Sequence, residues 1–222
     1  WGRSSEGGVI EDIGEPPPED VFELVTPPER APDRAEEVVL GFRDGLPISI
    51  DGEEIPLVDL IARVADVAAR NGVGIVDHVE DRVVGLKVRD IYEVPAAAVI
   101  LTAHRELEKL VCTGRENALK PQLDSLWAQL AYEGLWHEPL LDDLNAFMDR
   151  VNERVEGSIT MRLYKGNATA VRRASPNAIY DRSLATFDAD ASFSQAASPG
   201  FIELFTLQSR MAYRLREARR RG

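Results

Sequence analysis

The chain has 222 residues, 44% of them hydrophobic, and a formal net charge of −12. It is long enough to bury a core, and too acidic to favour a nucleic-acid backbone or an anionic membrane surface as a partner. Its single cysteine, Cys112, cannot close an internal disulfide, no apolar run reaches the length of a membrane span, and no signal peptide is visible, so a cytoplasmic protein in a reducing compartment is expected.

The chain opens at Trp1 rather than at a methionine, from which a fragment or a processed product is expected. Residues 1–37 read as an extended, loosely packed arm. Gly7-Gly8, Pro16-Pro17-Pro18, Pro27-Pro28 and Pro32 deny it long helices, while Val21, Phe22, Leu24 and Val25 equip it to lie against a body. The body starts at Val38. Two apolar runs, Val38-Val39-Leu40-Gly41-Phe42 and Pro47-Ile48-Ser49-Ile50, flank Asp44-Gly45, a strong hairpin signal.

Residues 57 to about 70 carry Leu57, Leu60, Ile61, Val64, Val67 and Ala68 at helical spacing, with Asn71-Gly72 as the stop. Two short strands follow, 74–80 and 82–87. Pro95 then opens a helix to about residue 112, a second helix covers about 120–133 up to Gly134, and a third runs from Pro139 to about 155. Strands return at 158–165 and 168–173 around a Gly166-Asn167 turn. A polar loop is expected to about residue 199, then a last helix or broken pair of helices from Gly200. The sum is an α+β fold, a mostly antiparallel sheet of hairpins packed with helices. It divides into the arm (1–37), an α+β body (38–199) and a C-terminal helical segment (200–222).

Chemistry is sparse in this pattern. His78, His104 and His137 are scattered, with no metal-ligand spacing among them, and no metal site is read. His104 and Cys112 sit in an apolar helical stretch and read as structural. Neither phosphate-loop pattern occurs, and there is no Gly-x-Ser-x-Gly elbow. Two polar clusters remain: Gly2-Arg3-Ser4-Ser5-Glu6-Gly7-Gly8, and Asp77 to Arg82 with Lys87 to Glu93. A carboxylate and a phenol at the ends of a strand pair suit a zwitterion, the carboxylate taking the ammonium and the phenol the carboxylate. A flexible linker and a solvated charged hairpin are the alternatives.

These clusters resemble the C-terminal domain of argininosuccinate synthases. The matching stretches include Trp1-Gly-Arg-Ser-Ser-Glu-Gly-Gly, Gly74-Ile-Val-Asp-His-Val-Glu-Asp-Arg, Ile91-Tyr-Glu-Val-Pro-Ala, Ala131-Tyr-Glu-Gly-Leu-Trp and Ser175-Pro-Asn-Ala-Ile-Tyr-Asp, in order over nearly the whole chain. The resemblance implies a ligase that joins citrulline and aspartate using ATP with magnesium, through a citrullyl-adenylate. It implies that Ser4, Glu80 and Tyr92 help hold citrulline, and that C-terminal helices build a homotetramer. The nucleotide and aspartate are expected to be bound mainly by an N-terminal half of which this chain shows no match. Val88 and Asp81 stand where the family usually has serine and asparagine, and the polar loop 188–198 is less typical. The alternative is a non-catalytic binding or assembly module derived from that domain.

Overall fold

At Asp44-Gly45 both residues take positive φ, 49° and 76°, the backbone that a two-residue hairpin turn requires and that glycine adopts without strain. The turn joins β2 (Glu36–Arg43) to β3 (Leu46–Ile50). The computed structural model describes residues 1–185 and 194–221, so the stretch 186–193 of the expected polar loop lies outside the described residues. Among those described are β1 (Arg3–Glu6), β4 (Glu53–Glu54), α1 (Leu57–Arg70), β5 (Ile75–Asp81), β6 (Lys87–Glu93), α2 (Pro95–Val111), α3 (Gly114–Tyr132), α4 (Pro139–Asn152), β7 (Gly157–Tyr164), β8 (Asn167–Ala174), α5 (Arg182–Ala185), α6 (Ala197–Phe205) and α7 (Leu207–Arg221).

The strands form a five-stranded sheet, β4-β3-β2-β7-β8, and a three-stranded sheet, β1-β6-β5. Every pairing is antiparallel. The expected α+β class is the one found.

The core follows from alternation. Val38, Leu40 and Phe42 of β2 and Ile159, Met161 and Leu163 of β7 point to one side. There they meet Leu60, Val64 and Ala68 of α1 and the buried stripe of α2 from Ala96 to Val111. Each such side chain contributes about 1.5–3 kcal/mol on burial. A smaller cluster, Leu130, Leu141 and Leu144 with Leu123, Leu126 and Trp127, holds α3 to α4.

Three expectations shift. The second strand of the 74–87 region is β6 at Lys87–Glu93, because residues 82–86 form the connecting turn, closed by Arg82 N–H to Leu86 O at 2.7 Å. Helix α3 starts at Gly114, not near 120. Thr113 and Glu116 form a capping box, which nucleates the helix upstream, and Pro121 is carried within it. Arg154 donates to Glu116 at 2.6 Å, and with the Thr113 bonds this draws the Glu116 carboxyl down to about 2. The β7–β8 turn is centred on Lys165 and Gly166, both at positive φ, one residue earlier than read.

The chain divides into two compact units, Trp1–Ile179 and Tyr180–Gly222. The first contains both sheets. The second contains α5 and, as the expected broken helix pair, α6 and α7, with Phe201 and Phe205 stacked at 5.1 Å. No helix among the described residues is long and apolar enough to cross a membrane.

Candidate functional site

Residues directly opposed in an antiparallel pair share a sheet face. In the three-stranded sheet Ser4 opposes Tyr92 and Glu6 opposes Asp90. On the other side of β6, Asp90 opposes His78 and Val88 opposes Glu80. One face therefore carries Ser4, Glu6, His78, Glu80, Asp90 and Tyr92, although the chain separates Ser4 and Glu6 from the other four by more than seventy residues. Gly2 lets β1 come this close: a Cβ there would sit 2.8 Å from the Glu93 carbonyl oxygen.

Glu80 is the hub. Tyr92 Oη donates to its Oε2 at 2.7 Å. Tyr132, from the far end of α3, donates to Oε1 at 3.2 Å, and Arg82 Nε lies 3.0 Å from Oε1. His78 Nε2 stands 3.6 Å from Oε2, and its ring is 5.6 Å from that of Tyr92. Arg82 also reaches Glu6 and, at 3.1 Å, Asp90 Oδ2. Ser4 is exposed at the strand edge of the same face.

The electrostatics follow from this crowding. The Tyr92 hydroxyl, with help from Arg82, holds the Glu80 carboxyl below its usual range. The same bond pushes the Tyr92 phenol up. Asp90 moves the opposite way. Burial and the neighbouring Glu80 charge raise its carboxyl, and Arg82 only partly offsets them.

The opposite face of the sheet is a clamp for the arm. Glu93, 1% exposed, accepts backbone N–H bonds from Glu23, Leu24 and Val25 at 3.1, 2.8 and 2.7 Å, and pairs with Arg3 at 3.1 Å. Arg89 pairs with Asp77 at 2.7 Å and donates to the carbonyls of Ile10, Asp12 and Glu15. The arm is thus held more tightly than its proline and glycine content suggests, with Ile10, Val25 and Ala31 buried.

All three residues expected to hold citrulline, Ser4, Glu80 and Tyr92, share the first face. Sequence reasoning did not single out Arg82, Asp90 or Tyr132. The first two lie inside the charged cluster it noted, but nothing local marks them as Glu80 neighbours. Tyr132 had no signal beyond its Ala131-Tyr-Glu-Gly stretch. Among the described residues no group of three or more His, Cys, Asp or Glu side chains is placed to hold a metal ion.

A second charged group lies between α2 and α3. Lys120 Nζ lies 2.8 Å from both Glu108 and Asp124, and His104 Nδ1 is 3.5 Å from Glu108. The charges answer one another, and His104 also packs edge-on against Phe42 at 5.9 Å, a structural arrangement. Cys112 is buried, and burial raises its thiol.

Comparison with known proteins gives one consistent family. The model of a family described as "Arginosuccinate synthase C-terminal domain" matches residues 1–212. The argininosuccinate synthase of Pyrococcus furiosus is 47% identical over 215 residues, covering 97% of this chain and 52% of that protein. That of Rubrobacter xylanophilus is 48% identical over 210 residues, covering 95% and 51%. That of Methanopyrus kandleri is 45% identical over 216 residues, covering 97% and 54%. The chain spans about half the length of the curated relatives it matches.

Proposed function

The chain belongs to the argininosuccinate synthase family and corresponds to its C-terminal domain, and on that premise we propose that it supplies one wall of the citrulline site of a ligase that joins citrulline to aspartate at the expense of ATP. The observation that carries the reading is the 2.7 Å bond between Tyr92 and Glu80 on the face that Ser4 shares. A free amino acid brings an ammonium and a carboxylate. Glu80 is an anionic acceptor for the first, and the hydroxyls of Ser4 and Tyr92 are donors for the second. Fixing that end of citrulline removes the orientational freedom that its ureido group would otherwise lose at the reaction step.

The residues present do not fit ATP or magnesium. No glycine-rich phosphate loop occurs in the sequence, and the site's carboxylates are already tied to Arg82 and Tyr92. We assign the nucleotide, its magnesium and aspartate mainly to an N-terminal half of the full-length protein, in the cytoplasm. The apolar side chains that α6 and α7 leave exposed, among them Phe201, Leu204, Phe205, Met211 and Leu215, suit the subunit contacts of a homotetramer.

The test is pyrophosphate release from ATP that depends on both citrulline and aspartate. The full-length protein should show it and the 222-residue chain alone should not. Turnover by the chain alone would sink the half-enzyme reading, and none by the full-length protein would sink the ligase reading.

A further inference from the structure

Three carboxylates, Glu6, Glu80 and Asp90, surround one guanidinium, that of Arg82, on the site face. Glu6 is half exposed and can turn to water. Asp90 cannot, because it is 1% exposed and lies at the centre of the sheet with Glu6 opposed on β1 and His78 on β5. Its Oδ2 meets Arg82 at 3.1 Å and the Tyr92 hydroxyl at 3.3 Å. That hydroxyl has one proton, which the shorter bond to Glu80 takes. Its Oδ1 is buried with no hydrogen-bond partner among the described residues. A buried carboxylate that keeps its charge normally has both oxygens satisfied.

We propose that Asp90 is a further positioning residue of the citrulline site: it supplies the second negative charge against which the ligand's ammonium is held through Glu80, and it gives up a proton when that ammonium arrives. The inference rests on the citrulline reading above. Tyr92 and Arg82 contact both carboxylates, Glu80 and Asp90, whose carboxyls are driven apart, Glu80 down by the Tyr92 bond and Asp90 up by burial. Burial with no partner for Oδ1 favours a proton on Asp90, and a cation arriving beside the pair disfavours it. On binding, the Asp90 O–H breaks, its proton passes to the buffer, and the ammonium replaces it as the counter-charge. An uncharged group at the amino position would gain nothing from this exchange, so Asp90 is also a selector for free amino acids.

The groups facing Asp90 are Glu6 on β1, His78 and Glu80 on β5, Arg82 in the turn and Tyr92 on β6, with Tyr132 of α3 reaching Glu80. Among these, His78 also stands beside Glu80, and its part must be separated by experiment. Calorimetric binding of citrulline and of Nα-acetylcitrulline to the full-length protein, from about pH 5 to about pH 8, does so. Citrulline affinity should rise with pH and its binding should release protons, in the parent and in His78→Asn alike.

Asp90→Asn should lose citrulline affinity by roughly tenfold, flatten the pH profile and abolish the proton release. It should leave the acetylated ligand within about twofold of the parent, on the ground that an uncharged amino end draws nothing from either carboxylate. Asp90→Glu should restore the citrulline profile. An Asp90→Asn variant that weakens both ligands equally, or keeps the pH profile, overturns the proposal. Glu80→Gln separates the two readings. If it weakens citrulline binding while Asp90→Asn does not, only the role of Asp90 fails, and if neither variant matters the citrulline site itself is wrong.

Discussion

On the arm-facing side of the β1-β6-β5 sheet, Glu93 and Arg89 meet opposite charges and backbone groups of residues 10–25. On the other side, two residues along the same strand, Asp90 and Tyr92 face Glu80, Glu6 and a single Arg82. Both faces are rich in charge. The first has an acceptor for each donor and holds the chain together. The second has an excess of carboxylate, an orphaned buried oxygen and neighbours that shift one another's titration. Strand alternation delivers both from one seven-residue stretch, Lys87–Glu93. Completeness of pairing, and not charge density, separates the structural face from the face proposed to hold citrulline.

The largest effect expected from this contrast is on the structural face. Glu93→Ala strands Arg3 and three backbone N–H groups, and should cost about 3–5 kcal/mol in denaturant unfolding. A loss below about 1 kcal/mol would mean that Ile10 and Val25, through burial alone, hold the arm.

Glu80→Ala should do the reverse. In the full-length protein the citrulline KM should rise by roughly tenfold or more, with stability within about 1 kcal/mol of the parent, because a like charge beside Asp90 is removed. An unchanged KM would take Glu80 out of the site.

The two faces should also respond oppositely to pH. Asp90 is raised in the folded protein, so its contribution is fully present below the unfolded-state value and is lost as pH rises through the folded one. Asp77 is lowered by its Arg89 bond, so its contribution is present above the unfolded-state value, about 3.9, and is lost as pH falls through the folded one. Unfolding midpoints across acid and neutral pH for Asp90→Asn and Asp77→Asn should differ from the parent with opposite slopes. Slopes of one sign would break the comparison.

The smallest effect is that of Tyr132→Phe. It removes one 3.2 Å hydrogen bond from an exposed hydroxyl, about 0.5–1.5 kcal/mol, and should raise the citrulline KM only severalfold. A loss exceeding that of Glu80→Ala would move the centre of the site to α3.

Much of the secondary structure was legible because local signals agreed. Helix α1 was read at its observed bounds from its apolar spacing and Asn71-Gly72 stop, and the β2–β3 hairpin from Asp44-Gly45. Where two local signals competed, the reading failed. The second helix after Pro95 was read from about residue 120, but the Thr113–Glu116 box starts it at Gly114. The valines of Val83-Val84 looked like strand, but the turn closed by Arg82 and Leu86 takes them.

The sequence by itself determined the α+β layout, the apolar face of α1 and the β2–β3 hairpin, and, through resemblance, it put Ser4, Glu80 and Tyr92 forward as one site. Those features depend on period, turn chemistry and side-chain type, all of which are written locally. Only the tertiary structure decided that Ser4 pairs with Tyr92 across the sheet, that Tyr132 reaches Glu80 from another helix, that Glu93 serves the arm, and that Asp90 is buried beside Glu80 with an oxygen unpaired. Strand register and burial are properties of distant segments brought into contact. They alone turn a run of ordinary charged residues into one face that binds the chain and one whose carboxylates are incompletely paired.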